Sequence, residues 1–249
     1  MREGDMYGGL EFIIVPLTLL GVVVLAILAL SGGRNQPDLG GGRAYVLYLS
    51  LVSFIAIFTA LFALTTTTSA VASMVFQDPE SIDCPDFTEC YPMGPRIDGV
   101  EADESFEEAE EARRARDAIT GATVGTAALA ILLLHRRKTR ELPNDPGFDA
   151  SPGARTFTAY LYAVSFTAVL VLLSAAATAL LGTVRVAIPD VVTAGSSGAE
   201  RDDGLVQLVT SVVAAGAALL IYLAHWRPAR RLTATMPPSE TRSEPAPEG

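Results

Sequence analysis

Two histidines and two cysteines are the residues of this 249-residue chain best suited to chemistry, and it has no others of either kind. His135 and His225 each end an apolar stretch, in TGATVGTAALAILLLHRRKTREL from Thr120 and TSVVAAGAALLIYLAHWRPARRL from Thr210. Imidazoles at matched helix ends could converge as ligands of a haem or a metal. The plainer reading is electrostatic, because His and Arg are favoured at a helix C-terminus by the dipole without any ligand. Cys84 and Cys90 lie six apart in an acidic, proline-containing loop. In an exported compartment such a pair is expected to form a disulfide, and two thiolates without a neighbouring His fall short of the four ligands of structural zinc. No Gly-rich phosphate loop, Ser-His-Asp set or HExxH pattern is found. The chain is therefore expected to be non-enzymatic, with no catalytic residues and no cofactor assigned.

The elements that must position these residues come in two copies. RAYVLYLSLVSFIAI from Arg43 is rewritten as RTFTAYLYAVSFTAV from Arg155, an offset of 112 that matches Arg43 with Arg155, Tyr45 with Phe157, Tyr48 with Tyr160, Ser53 with Ser165 and Phe54 with Phe166. The histidine-ended stretches align at an offset of 90, matching Ala127 with Ala217, Leu129 with Leu219 and Arg137 with Arg227. The repeat unit is a pair of apolar segments, and a repeat of this kind decides architecture before any local signal does.

Half of the residues are hydrophobic and only 18% are charged. The apolar residues come in runs of about 20, the length a helix needs to cross a bilayer, and too long for the alternating strands of a barrel. The expected fold is thus all-α: an integral membrane protein with five transmembrane helices, four of them a bundle of two duplicated hairpins. Residues 1–31 hold the first helix, about Phe12 to Leu30, with a signal peptide cut near Ala29 as its rival. Residues 43–142 form hairpin one, with helices at about 44–75 and 117–134 joined by an acidic loop, 77–116. Residues 155–232 form hairpin two, with helices at about 156–184 and 205–224. Residues 233–249, rich in Pro, Ser and Glu, are expected to be a disordered cytoplasmic tail. Within the acidic loop, EADESFEEAEEARRAR from Glu101 places acids before arginines, an order that suits a solvated helix leading into the next span.

The net charge of −10 does not describe the whole chain, since fourteen acids fall between Gln77 and Asp117. Eleven of the eighteen basic residues cluster in the loops at 31–43 and 135–155 and after 226. By the rule that short basic loops stay inside, the N-terminus is expected outside and the C-terminus in the cytoplasm of a cell membrane. The cations sit at helix ends rather than in patches, so nucleic acid is not an expected partner; membrane lipid is, together with another membrane protein or a second copy. The scarcity of lysine, with Lys138 the only one, hints at a prokaryotic source.

Arg43, Tyr45, Tyr48, Arg155, Phe157 and Tyr160 fall where each repeat enters the membrane, the pattern of an interface anchor. A headgroup or ligand site is the sharper alternative. Ser53, Ala56, Ala60, Ala63 and Thr67 recur at helical spacing, as do Gly121, Gly125 and Ala128, and Ser211, Ala215 and Ala218. Small residues on one face let helices approach closely in lipid, so these stripes are expected to be packing seams. The TTTTS run from Thr65 could ligate an ion, but hydroxyls in a helix ordinarily bond the preceding turn.

The doubled pattern R-x-[YF]-x-x-Y-L-x-x-V-S-F, each time followed by a helix ending in H-x-R-x-x-R-x-L, resembles a family of uncharacterised prokaryotic multi-pass membrane proteins built from transmembrane hairpin repeats and classed as a domain of unknown function. The resemblance covers Arg43 to Leu232. It implies a fold and a location and carries no catalytic residues. The preferred function is a scaffold, accessory subunit or sensor, with a small-molecule carrier or channel along the repeat axis as the alternative and a haem-binding redox subunit as the second.

Overall fold

The computed structural model describes residues 19, 21–23, 42–77, 101–144, 148, 151–188 and 197–235. Among these the chain is helical, without strands. Helix α1 spans Gly42–Phe76, α2 Glu101–Glu141, α3 Pro152–Ala187 and α4 Ser197–Thr235, with a 3-10 turn at Leu142–Asn144 after α2. All four long helices carry a stretch long and apolar enough to cross a membrane. The cysteines, the proposed cleavage site and the tail after residue 235 lie outside the described residues. So does most of the expected first helix, of which residues 19 and 21–23 are helical.

Each helix is longer than the apolar run that announces it. At about 1.5 Å per residue the 35 residues of α1 reach about 52 Å, against about 30 Å of hydrocarbon. The acidic segment from Glu101 is continuous with α2, so only the first part of the expected 77–116 loop connects the helices. At the other end α2 runs on through HRRKTR, where Lys138 and Arg140 occupy the last turn and complement the dipole. Helix α4 was expected to stop near Ala224, ahead of Pro228; it continues to Thr235 with the proline inside it. Pro228 removes one backbone donor and leaves the Ala224 carbonyl without its usual partner. Both residues are exposed, where water can replace the bond. Helix α3 begins on a cap: Ser151 is extended (φ −81°, ψ 152°), its Oγ accepts from the Ala154 N–H at 3.2 Å, and Pro152 takes the first helical turn.

The most extensive interfaces are those within hairpins, α3 on α4 and α1 on α2. Helix α1 also meets α4 and α3, which makes it the central helix, whereas α2 packs extensively on α1 alone. The apolar window of α1 is accordingly 56% buried and that of α2 only 11%. The hairpins run the same way, because Val46 packs on Gly153 and Ser53 lies beside Tyr160, both near the start of α1 and α3. These pairs stand at an offset of 107, not the 112 of the sequence alignment. The second hairpin is thus slid along α1 by five residues, about 7.5 Å at the helical rise. The two halves are therefore not related by rotation about one axis along the helices, the relation the sequence suggests. The slide seats Gly153, which has no Cβ, against the Val46 side chain.

Candidate functional site

The seams form first. Any Cβ on Gly121 would run into the Thr67 side chain and lie 3.1 Å from the Ala63 carbonyl oxygen, and one on Gly125 would lie 3.2 Å from the Ala63 Cβ. These glycines bring α2 onto the small-residue stripe of α1 at backbone distance. Between α3 and α4 the same close approach is made by Gly182 and Gly204, which sequence reasoning did not single out: a Gly182 Cβ would stand 2.9 Å from the Gly204 carbonyl oxygen. Ser211 is fully buried and Ala215 half-buried on α4. Near this end of the bundle Gln77 Nε2 donates to Asp203 Oδ1 at 2.6 Å, tying the end of α1 to α4, and Arg114 donates to the Ser73 carbonyl at 3.3 Å, tying α2 to α1.

With the hairpins closed, each histidine meets the tyrosine of its own half. The Tyr48 and His135 rings are 6.0 Å apart, and the Tyr160 and His225 rings 5.9 Å apart and edge-on. The histidines share a second feature. His135 Nδ1 lies 2.9 Å from the Ile131 carbonyl oxygen and His225 Nδ1 lies 2.8 Å from that of Ile221. A carbonyl can only accept, so Nδ1 carries the proton in both, and the Nε2 of a neutral ring is left as an acceptor. For His225 that Nε2 is 3.5 Å from the Tyr160 hydroxyl. Each imidazole is set against a phenol ring of its own hairpin. Among the described residues no group of three His, Cys, Asp or Glu side chains is placed to hold a metal.

The matched anchor residues have unlike surroundings. Tyr45 and Tyr48 are exposed, while Phe157 and Tyr160 are buried under Phe148 and the α4 side chains. Arg43 is half-buried and Arg155 exposed. Phe54 is fully buried, with Gly21 of the N-terminal segment against its ring, whereas Phe166 is 62% exposed. The slide of one hairpin along the other has this effect: identical motifs present different faces to the core. An aromatic group of exposed Tyr162 and half-buried Tyr222 and Trp226 covers the end of the α3·α4 hairpin, with the Tyr162 hydroxyl 3.0 Å from Thr233 Oγ1. The signal for it was present in the sequence as Tyr and Trp near a basic helix end.

The threonine run bonds the preceding turn, as hydroxyls in a helix ordinarily do. Thr65, Thr66 and Thr67 donate to the Phe62 and Ala63 carbonyls at 2.7, 3.1 and 2.8 Å. Six other buried polar atoms have no hydrogen-bond partner among the described residues: the side-chain oxygens of Ser50, Ser53, Thr158, Gln207, Thr210 and Ser211.

Searches of family models, of curated proteins and of solved structures find no match to this chain.

Proposed function

We propose that this chain is a non-enzymatic multi-pass protein of the cell membrane that serves as a scaffold or accessory subunit. The observation that carries this reading is the uneven burial of four membrane-length helices: α1 is enclosed, while α2 is held along one flank and leaves most of its apolar window open. A helix so placed meets lipid on its free side or a neighbouring membrane protein. In this reading the N-terminus is outside, Cys84 and Cys90 are joined in an outer acidic segment, and the arginine-rich ends face anionic lipid inside. The resemblance to the family of hairpin-repeat membrane proteins rests on the doubled motif alone.

The test is photocrosslinking in native membranes from single positions on α2. A crosslinker at Leu129 or Leu133, which are 49% and 55% exposed, is expected to capture a discrete protein band that a crosslinker at buried Phe58 does not. Adducts with lipid alone from every open position of α2 would overturn the accessory role. A carrier or channel is the second reading, supported by the unpaired polar atoms of Gln207, Thr210 and Ser211 on α4. Solute flux into vesicles carrying the purified protein, lost on Ser211→Leu, would favour it.

A further inference from the structure

Duplication makes the two halves of this chain a control for each other, and one face differs between them. On α1, Ser50, Phe54, Ile57 and Leu61 follow at steps of four, three and four, so they share one side of the helix. All four are enclosed, Ser50 and Phe54 fully and Leu61 to 2% exposure. At the offset of 112 their counterparts on α3 are Tyr162, Phe166, Val169 and Leu173. That side is open, with Tyr162 37%, Phe166 62% and Leu173 62% exposed.

Two neighbours close the first face. Phe54, Ile57 and Leu61 belong to one core cluster with Tyr160, Val164 and Ala218 of the second hairpin. The N-terminal segment adds its own cover: Val22 packs against the same cluster, and Gly21 is buried on the Phe54 ring. Glycine is required there, because a Cβ at residue 21 would run into the ring, with Phe54 Cε1 3.0 Å away. A ring seated on bare helical backbone gives the close approach that holds helices together in lipid.

The second face lacks such a cover because the relation between the hairpins does not close. Two halves related by a pure rotation bury the same face of each, whereas a relation that does not close leaves the equivalent face of the last unit unfilled. The second hairpin is slid along α1, and Phe166, matched in sequence to Phe54, falls outside the junction.

We propose that the Tyr162, Phe166 and Leu173 face of α3 is a docking site for one transmembrane helix of a partner subunit, which sets a glycine against Phe166 as Gly21 is set against Phe54. The partner helix is of the kind this chain supplies to its own first half, free of charged residues and with glycine among aliphatic side chains. The inference rests on the membrane reading above and not on the part given there to α2.

The experiment uses the full chain in lipid nanodiscs with a photocrosslinking residue in place of Phe166. The probe is a synthetic peptide of residues 12–30, FIIVPLTLLGVVVLAILAL. The expected result is an adduct mapping near Gly21 of the peptide, lost with a Gly21→Leu peptide, which cannot approach the ring. A crosslinker at Leu133 of α2 is the reference for chance encounters within the disc. In the chain without a crosslinker, Phe166→Ala is expected to weaken binding of the labelled peptide by about tenfold, the factor that loss of one aromatic contact carries. The proposal is overturned if Phe166 yields lipid adducts alone. It is equally overturned if the Gly21→Leu peptide is captured as well as the native one, the behaviour of a side that simply faces acyl chains. A chain recovered outside the membrane fraction of cells would fail the membrane reading, whereas an inserted chain with an unresponsive Phe166 fails this inference alone.

Discussion

Gly121 and Gly216 are both helical glycines, and the space around them gives opposite expectations for the same substitution. At Gly121 an added methyl meets the Thr67 side chain and two backbone atoms of α1, the Ala63 oxygen at 3.1 Å and the Thr67 nitrogen at 3.2 Å. Backbone cannot swing aside as a side chain can, so Gly121→Ala is expected to lose about 1–3 kcal/mol of stability, as overpacking does. Gly216 has nothing within 4 Å of where its Cβ would stand. Gly216→Ala should therefore be stabilising, by up to about 1 kcal/mol from helix propensity. Reversible unfolding in mixed micelles measures both; a harmless Gly121→Ala would mean that the α1·α2 seam is looser than its distances. Gly121 and Gly125 were legible as seam residues because their spacing announces a helical face. Gly182 and Gly204 were not, since each is a single glycine whose partner lies on another helix, and only the pairing of α3 with α4 reveals the match.

At the level of the helix, apolar runs identified which segments are helical but not where they end. A run records the part that avoids water, whereas the backbone stays helical as long as its residues and caps allow. Hence α2 continues through an acidic entry and a basic exit, and α4 passes Pro228. The start of α3 at Pro152, ahead of the expected 156, is likewise set by a local signal outside the apolar run, the Ser151-Pro152 cap. Ser151→Ala should cost about 1 kcal/mol, and Ser151→Asn should retain most of the stability, both read as unfolding midpoints. The pairing of Tyr160 with His225 was not legible from the repeat. Sequence correspondence matched the two histidines to each other and the two tyrosines to each other, but only the packing of each hairpin sets tyrosine against histidine.

For the molecule as a whole, α1 and α3 are parallel, so the ends of α2 and α4 emerge on the same side. Single cysteines at Arg137 and Arg230, in a Cys84→Ser/Cys90→Ser background, are expected to react with an impermeant maleimide only after the membrane is opened. Labelling of the two positions from opposite sides would sink the parallel arrangement, and labelling of both in sealed cells would reverse the orientation. The 41-residue α2 has a mechanical consequence. At about 1.5 Å per residue it is a rod of about 60 Å, fastened to α1 at Arg114, Gly121, Gly125 and His135. A load applied at either tip of that rod is therefore passed to the enclosed helix, and the two are carried together rather than past one another.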